Sequence, residues 1–189
     1  STRRSSDLLI ALVLGLLFLE ILIVNGNNEQ RKNGSNQVKT ARIMANGDLL
    51  YHDGLYMSAL QEDGSYDFTE NFTYVKPWLK QADLVLGDFE GTINPDYPLS
   101  GYPLFNAPQA VTTAIKDAGY NVMDLAHNHI LDSGLEGAFT TANAFKKVGI
   151  DPIGVYEKPV RDKAPLLIKN VNGIKIAILS YSYGYNGLD

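Results

Sequence analysis

Cysteine is absent from the 189-residue sequence, and this absence limits the chemistry that the chain can carry. A disulfide scaffold, a zinc or iron–sulfur site with cysteine ligands and a cysteine nucleophile are all excluded. Histidine is scarce as well, with only His52, His127 and His129 present. Any metal site must therefore be built from carboxylates, asparagine and these three histidines.

An excess of positive charge is lacking too. The sequence has 16 Lys and Arg residues against 21 Asp and Glu residues, which gives a net charge of −5. Nucleic-acid-binding domains usually carry a basic patch or stripe, so we expect no nucleic-acid partner. The 45% hydrophobic content is that of a globular chain and argues against wholesale disorder.

A single long apolar run, residues 8–24, follows Arg3 and Arg4 and contains one charged residue, Glu20. As a helix it would be about 25 Å long, near the lower limit for spanning a bilayer. Basic residues before such a run are typical of the cytoplasmic side. No Ala-type cleavage site follows, which favours an uncleaved signal anchor over a cleaved signal peptide. The missing cysteine excludes a lipoprotein anchor.

The domain boundaries follow from this run. Residues 1–7 are predicted to be a short cytoplasmic basic start, and residues 8–24 a transmembrane signal anchor. Residues 25–37 (NGNNEQRKNGSNQ) contain no apolar side chain and are predicted to form a flexible stalk. Residues 38–189 would then form the main domain, which we expect to be extracellular on a single-pass protein of the cell membrane.

Short apolar strands and helices alternate in the main domain. The spacing of apolar residues predicts strands over 41–45, 83–87 and 121–126, and helices over 71–81, 108–118 and 135–148. Residues 166–171 and 174–181 flank Asn172-Gly173, which predicts a β-hairpin. Alternation of this kind indicates an α/β fold with a largely parallel sheet.

Acidic side chains follow each of the three predicted strands, and the histidines follow the first and the third. A single Asp there is most simply a helix cap or turn residue. Three such clusters at the carboxyl edge of a sheet, where ligands bind in α/β folds, instead suggest a metal or anion site. Their side chains suit Mn²⁺, Mg²⁺, Fe²⁺ or Zn²⁺. Two such ions about 3.5–4 Å apart could bind a phosphate ester and activate a water molecule. The clusters contain Asp48, His52 and Asp53; Asp88 and Glu90; and His127, Asn128, His129 and Asp132.

Two aromatic segments allow structural and functional interpretations. Residues 100–106 (SGYPLFN) could line a substrate groove through Tyr102 and Asn106, or form a loop that Tyr102 and Phe105 pin to the core. Tyr181, Tyr183 and Tyr185 alternate at strand spacing. We therefore expect these three tyrosines to share one face and to have a packing role.

Taken in order, these residues resemble the CapA-type bacterial capsule synthesis family, the poly-γ-glutamate capsule proteins. That family is similar in fold to the calcineurin-like metallophosphoesterases. The resemblance implies a metallophosphoesterase-like layered sheet flanked by helices, preceded by a transmembrane helix. The matching motifs span roughly residues 41–181 and are Gly47-Asp48 with His52-Asp53, Tyr66-Asp67-Phe68, Val75-Lys76-Pro77, Ala82-Asp83-Leu84, Phe89-Glu90-Gly91, residues 100–108, and Asn128-His129 with Asp132 and Gly134.

The resemblance also implies roles for individual residues. His129 and Asp132 are the catalytic candidates. His129 would donate to a phosphoryl oxygen or to the leaving group. Asp132 is also a candidate for contacting the metal ligands without binding the metal itself. The implied metal ligands are Asp48, Asp88, Glu90 and Asn128, for a divalent ion such as Mn, Mg, Fe or Zn. Expected in supporting or substrate-binding positions are His52, Asp53, His127, Tyr102 and Asn106.

Two departures from the family pattern stand out. Family members usually have Asn-Asn-His where this chain has His127-Asn128-His129, so His127 is either an extra ligand or a neighbour facing away. The metallophosphoesterase pattern also has further histidines downstream, and none follows Asp132 here. We therefore expect the chain to be the N-terminal part of a longer domain.

Three functions are compatible with this resemblance. The first is a role outside the membrane in export, release or attachment of a capsule polymer such as poly-γ-glutamate. The second is a metal-dependent phosphoesterase or hydrolase with another extracellular substrate. The third is a non-catalytic module that binds the polymer or its synthase. The expected partners are the capsule polymer and membrane-bound polymer synthase subunits.

Overall fold

A four-stranded parallel sheet organises the residues that the computed structural model describes, 38–156 and 166–188. Its strands are neighbours in chain order, and helices make the connections that parallel neighbours require. The predicted α/β class with a largely parallel sheet is thereby confirmed. The strands are β1 (Ile43–Asp48), β2 (Leu84–Asp88), β3 (Val122–Asp124) and β4 (Asp151–Ile153).

The connecting helices differ in length. A short helix α1 (Asp53–Ser58), a 3₁₀ turn (Thr69–Phe72) and α2 (Lys76–Leu79) lie between β1 and β2. Helix α3 (Ala110–Ala118) leads to β3, and α4 (Gly134–Lys147) leads to β4. Gly119 ends α3 with a φ of +120°, as its position after the predicted helix indicates.

The two faces of the sheet have different coverings. Leu84 and Val122 pack in a cluster with residues of a hairpin, β5 (Leu167–Val171) and β6 (Ile174–Ile178). Val85 and Met123, one residue further along their strands, belong to the core that α3 and α4 complete. Because side chains alternate along a strand, the hairpin lies on one face and the helices on the other.

Several predicted boundaries are wrong for identifiable reasons. The helix predicted over 71–81 is divided, because Pro77 lacks an N–H and its ring excludes a carbonyl one turn earlier. The first strand starts at Ile43, since the Arg42 N–H donates to the Asp83 carboxylate at 2.8 Å. The second hairpin strand ends at Ile178 instead of 181. Helix α1 and strand β4 were not predicted.

The predicted membrane segment, residues 8–24, and the predicted stalk, residues 25–37, lie outside the described residues. Within 38–156 and 166–188, none of the helices has both the length and the apolar character needed to cross a bilayer.

Candidate functional site

Three aspartates end three neighbouring strands at the same level of the sheet. The strand register pairs Asp48 with Asp88, and Asp88 with Asp124. Directly paired residues in parallel strands point to the same face, and Asp88 alternates with Leu86 and Leu84, which face the hairpin. Asp88 and Asp124 therefore lie side by side at the carboxyl edge of the hairpin face. Asp48 follows an irregularity in β1 after Ala45, and its charge acts on Asp88, so it lies near that carboxyl; we call the three residues the aspartate row.

Asp88, in the middle of the row, lacks compensation for its burial. Its Oδ1 atom is buried without a hydrogen-bond partner among the described residues. Burial raises the pKa of Asp88 to about 6, and the charges of Asp124 and Asp48 add to the increase. The ionised form of this carboxyl is thus disfavoured unless a positive charge is near.

Glu90 adds a fourth carboxyl to the same neighbourhood. Burial raises its pKa to about 7, and a hydrogen bond with Asp48 and the charges of Asp48 and Asp88 act in the same direction. The charge of His129 has the opposite effect. Glu90 is therefore close both to the acids of the row and to His129, so the row and the histidine belong to one site.

Asp124 was not among the residues predicted from the sequence. It lies inside the predicted strand 121–126, and only the register reveals that it stands beside Asp88. Its Oδ1 accepts hydrogen bonds from the Ala126 N–H at 2.9 Å and from the Ser180 hydroxyl. Asp124 therefore joins the row to the segment that follows β6.

The fit of this site to a divalent cation depends on its donor atoms and on whether they converge. Within 38–156 and 166–188, no three His, Asp or Glu side chains converge closely enough to hold a metal ion together. The donor chemistry nevertheless fits a hard cation, since carboxylates dominate and two carboxylate oxygens, Asp88 Oδ1 and Asp132 Oδ1, are buried without a partner among the described residues. The side chains thus have the required chemistry but are not gathered around a common point.

His129 and Asp132 form a buried pair beside the row. The Nδ1 of His129 is 2.8 Å from the Oδ2 of Asp132, and the two side chains are 13% and 1% exposed. Burial raises the pKa of Asp132, while hydrogen bonds from the Phe105 N–H and from His129 lower it. With Nδ1 donating to Asp132, Nε2 is the nitrogen of His129 that can exchange a proton with another group.

The loop of residues 100–106 approaches this pair through Phe105. The Phe105 ring is buried and packs edge-on against His129, with ring centroids 4.8 Å apart. The Phe105 N–H also donates to Asp132 at 2.6 Å. Tyr102, by contrast, is 77% exposed, so Phe105 and not Tyr102 attaches the loop to the core.

His52 and Asp53 contact the other end of the same loop. Their side chains are bonded to each other and are 51% and 61% exposed. The Tyr102 N–H donates to the Nε2 of His52 at 3.4 Å, and the His52 ring lies 5.8 Å from Phe105. A β-carbon on Gly101 would come within 2.9 Å of the His52 ring, which explains a glycine there. These contacts place His52 against the loop.

His127 is buried, and its ring is hydrogen-bonded to backbone groups. Its Nδ1 accepts a hydrogen bond from the His129 N–H at 3.1 Å. Burial lowers its pKa to about 4, as does the nearby His129, while a hydrogen bond to the Phe89 backbone raises it. A neutral imidazole with both nitrogens bonded has no lone pair left for a metal, so these contacts fit a neighbour of the site better than an extra ligand.

The side-chain amide of Asn106 is also fully hydrogen-bonded within the protein. Its Nδ2 donates to the carbonyl oxygens of Asn94, Tyr97 and Pro98 at 2.9, 3.1 and 3.1 Å. Its Oδ1 accepts from the Asn94 N–H at 2.8 Å. The side chain is buried, and this amide therefore holds the loop together.

Asn128 faces a cavity of about 600 Å³. The cavity lies between residues 126–128 and residues 181–187, and Asn128 Nδ2 donates to Asn186 Oδ1 at 3.2 Å. Tyr181 and Tyr183 are 81% and fully exposed, so the predicted packing role is wrong for both. The chain leaves the strand conformation at Ile178, which removes the alternation on which that prediction depended. Tyr185 does pack against the core.

Comparison with known proteins gives these motifs a family context. The family model described as "Bacterial capsule synthesis protein PGA_cap" matches residues 42–189. The chain is 27% identical to "Capsule biosynthesis protein CapA" of Bacillus anthracis over 193 residues, which cover 96% of this chain and 45% of that protein. It is 26% identical to "PGA biosynthesis protein CapA" of Bacillus subtilis (strain 168) over 184 residues, covering 96% and 47%.

A further relative covers less of the chain. An uncharacterised protein of Sinorhizobium fredii is 29% identical over 116 residues, which are 58% of this chain and 25% of that protein. The chain spans about half the length of the two Bacillus relatives. The family match, in contrast, includes every strand and helix of the described fold. The chain belongs to the bacterial capsule synthesis protein family PGA_cap.

Proposed function

We propose that this chain is part of a CapA-type capsule biosynthesis protein that acts outside the membrane on export, release or attachment of a capsule polymer. In this proposal the site at the carboxyl edge of the sheet is a metal-dependent hydrolytic centre of the metallophosphoesterase type. The observation that carries the proposal is the aspartate row, with the unpartnered Asp88 oxygen at its middle and the His129–Asp132 pair beside it.

The acids would supply the ligands. Asp48, Asp88, Glu90 and the amide oxygen of Asn128 would hold a divalent cation. When bound, such a cation polarises a phosphoryl or carbonyl oxygen and lowers the pKa of a water molecule. Neutralisation by the cation would also remove the repulsion that raises the pKa values of Asp88 and Glu90.

His129 would carry the proton transfer. Asp132 accepts a hydrogen bond from the Nδ1–H of His129 and fixes the orientation of the ring, because its own position is held by the hydrogen bond from the Phe105 N–H. With both ring nitrogens protonated, His129 could then donate its Nε2 proton to the oxygen of a leaving group, which leaves the ring neutral. Phe105 restricts the tilt of the ring by its edge-on contact.

The membrane location is part of the proposal and depends on the sequence of residues 8–24. A signal anchor there would place the main domain outside the cell and close to a membrane-bound polymer synthase. The Bacillus relatives are named for capsule and PGA biosynthesis, which supports a polymer substrate. The lining of the described cavity includes no Lys or Arg, so a polyanion would need the cation or another basic region for binding.

The test uses the full-length protein and measures bound metal and hydrolysis of bis(p-nitrophenyl) phosphate. Asp48→Ala is expected to lose both metal and hydrolysis, because it removes a ligand. His129→Ala is expected to keep the metal and to lose about 10²–10⁴-fold in rate. Glu62→Gln, an exposed residue away from the row, is the control and should change neither. Absence of bound metal in the unmodified protein, with neither Ala variant changing hydrolysis, would refute the enzymatic proposal.

A non-catalytic module that binds the polymer or its synthase is the second candidate. The observation that favours it is the lack of convergence of any three His, Asp or Glu side chains within the described residues. The same experiment separates the two candidates, because a binding module would show no hydrolysis that depends on Asp48 or His129.

A further inference from the structure

Three apolar side chains extend into solvent shortly before strand β2. Trp78, the sole tryptophan of the sequence, is 64% exposed, and Tyr74 and Val75 are 88% and 46% exposed. The Trp78 N–H donates to the Val75 carbonyl at 2.9 Å, so these two residues lie on the same turn of the chain. We call Tyr74, Val75 and Trp78 the aromatic patch. Large apolar side chains that are exposed as a group mark surfaces for contact with a protein or a membrane.

The hydrophobic core fixes the direction of this patch. Phe72, which precedes the patch, is buried, and its ring centroid lies 6.1 Å from that of Tyr120. Leu79, which follows the patch, packs against the same core. Because the residues on both sides of the patch are anchored inward, the outward direction of Trp78 is set by the fold.

The patch lies at the amino edge of the sheet, where the strands begin. Residues 79–83 lead from the patch into β2, and the Gln81 carbonyl accepts a hydrogen bond from the Arg42 side chain at 3.4 Å. Arg42 directly precedes β1, so the starts of β1 and β2 both lie next to the patch. The aspartate row is at the carboxyl edge of the same strands. The patch and the candidate site therefore lie at opposite ends of the sheet.

Basic side chains gather at the amino edge as well. Helices α3 and α4 run back from the carboxyl edge, so Lys116 and Lys146-Lys147, in their last turns, come just before β3 and β4. The Lys116 ammonium donates to the Gly149 carbonyl at 2.6 Å. The other Lys and Arg residues that the structure describes precede β1 or β2 or belong to the hairpin, whose turn bonds to Thr40. They are Lys39, Arg42, Lys76, Lys80, Lys169 and Lys175.

Fewer acids are placed at this edge by their contacts. Asp117 and Asp151 are each bonded to a lysine, and Asp83 accepts the Arg42 backbone N–H. Within 38–156 and 166–188, the ion pairs include none between a Lys or Arg and the aspartate row or Glu90. The main domain thus has a basic end that carries the aromatic patch and an acidic end that carries the candidate site.

We propose that the amino edge of the sheet, through the aromatic patch and its neighbouring lysines, docks on the surface of an anionic bilayer and turns the candidate site away from the membrane. Tryptophan and tyrosine are enriched at the membrane–water interface, and basic side chains there attract anionic lipid headgroups. This inference rests on the membrane location proposed above. It adds an orientation, in which the substrate reaches the site from the side opposite the membrane.

The route of the chain favours a bilayer over a protein partner. Residues 38–42 enter the domain at the amino edge, and the predicted stalk that precedes them could span at most about 45 Å. An anchored domain would therefore present this edge close to the bilayer, and the tether allows a small patch to suffice. Lysine is depleted in protein–protein interfaces, yet Lys76 and Lys80 stand on either side of Trp78.

The experiment uses the full-length protein in nanodiscs of phosphatidylcholine and phosphatidylglycerol, with Trp78 fluorescence as the probe. The Trp78 signal is the difference between the unmodified protein and Trp78→Phe. Phosphatidylcholine brominated near the top of its acyl chains quenches from the lipid, and acrylamide quenches from water. We expect the brominated lipid to reduce the Trp78 signal by about twofold and acrylamide to quench it weakly.

The matched control is Tyr183→Trp in the Trp78→Phe background. It places a tryptophan at a fully exposed position beside residues 126–128, at the carboxyl edge. Acrylamide and not the brominated lipid should quench this tryptophan. Quenching by the brominated lipid would overturn the proposed orientation.

A charge reversal tests the lipid contact directly. Lys80→Glu places a negative charge beside the headgroups and should reduce the lipid quenching of Trp78. Equal quenching in Lys80→Glu and the unmodified protein would overturn the contact with an anionic surface. Quenching of Trp78 by acrylamide alone, the result for a free surface, or by neither agent, the result for a surface covered by protein, would overturn the inference and leave the proposed function intact. A full-length protein that does not insert into nanodiscs would overturn both the inference and the proposed membrane location.

Discussion

Two buried polar regions lie next to each other in this fold and differ in how well their groups are paired. Around Asn106, the Thr92 hydroxyl donates to the Phe105 carbonyl at 2.8 Å, and Ser133 donates to Thr92 at 2.7 Å. The Ile93 N–H donates to the Thr141 hydroxyl at 2.7 Å. In the aspartate row, by contrast, like charges face one another and an oxygen of Asp88 has no partner.

This difference in hydrogen bonding distinguishes a region that stabilises the fold from a region that is available to a ligand. Burying a polar group is unfavourable unless it is hydrogen-bonded, so a paired network contributes to stability. A row of like-charged carboxylates, with one buried oxygen unpartnered, lowers stability and persists where a ligand compensates for it. The Asn106 network thus holds the loop that carries Phe105, and the row is left for a cation.

The largest expected effect is on the paired network. Asn106→Ala removes an amide that bonds Asn94, Tyr97 and Pro98 and leaves buried carbonyls unpaired. We expect a loss of about 3 kcal/mol in the free energy of unfolding, since each such bond contributes about 1 kcal/mol and each unpaired group costs more. Chemical denaturation measures it. Asn143→Ala on α4 is the control, and a loss below about 1 kcal/mol for Asn106→Ala would contradict the structural role.

The second expected effect concerns His127 and acid. Its pKa is about 6.5 when unfolded and about 4 in the fold, chiefly because it is buried. The free energy of unfolding therefore has its full value above pH 6.5 and falls by up to about 3 kcal/mol as the pH decreases from 6.5 to 4. In His127→Asn this part of the pH dependence should disappear. Thermal unfolding at pH 7, 5.5 and 4 measures it, and identical slopes in the two proteins would contradict the burial of a neutral ring.

These two regions also show what the sequence can reveal. Asp48, Asp88 and Glu90 were predictable because each follows an apolar strand, and parallel strands bring their carboxyl ends to one edge. The hairpin was predictable from Asn172-Gly173, since the turn chemistry is local. Asp124 and Asn186 were not, because their positions depend on strand register and on a contact across 58 residues.

The role of Asn106 could not be predicted from the sequence either. Its sequence context suggested a substrate groove or a pinned loop, and only the three-dimensional contacts show that its amide is fully occupied. The divided helix at Pro77 and the exposed Tyr181 and Tyr183 have a common cause. In both cases a regular period in the sequence continues beyond the point where the backbone stops being regular.

The third expected effect concerns the aspartate row, and here the substitution should increase the free energy of unfolding. Glu90 has a pKa of about 7 instead of 4.5, so the fold loses stability as the pH rises from 4.5 to 7. Glu90→Gln removes the ionised form and should raise the metal-free stability at pH 8 by about 1 kcal/mol, with little change at pH 5. Melting temperatures in a chelator measure this effect. Glu62→Gln is the charge-matched control, and a stability loss in Glu90→Gln at pH 8 would contradict the repulsion.

The smallest expected effect tests where the site ends. Asp53 is exposed and bonded to His52, and that hydrogen bond lowers its pKa. Because the pair is in water, Asp53→Asn should leave the melting temperature within error of the unmodified protein. If His52 and Asp53 belong with the loop and not with the aspartate row, Mn²⁺ affinity should also be unchanged. A tenfold loss of affinity in Asp53→Asn, with the fold intact, would place Asp53 among the groups that stabilise the cation and would extend the row beyond the three strand ends.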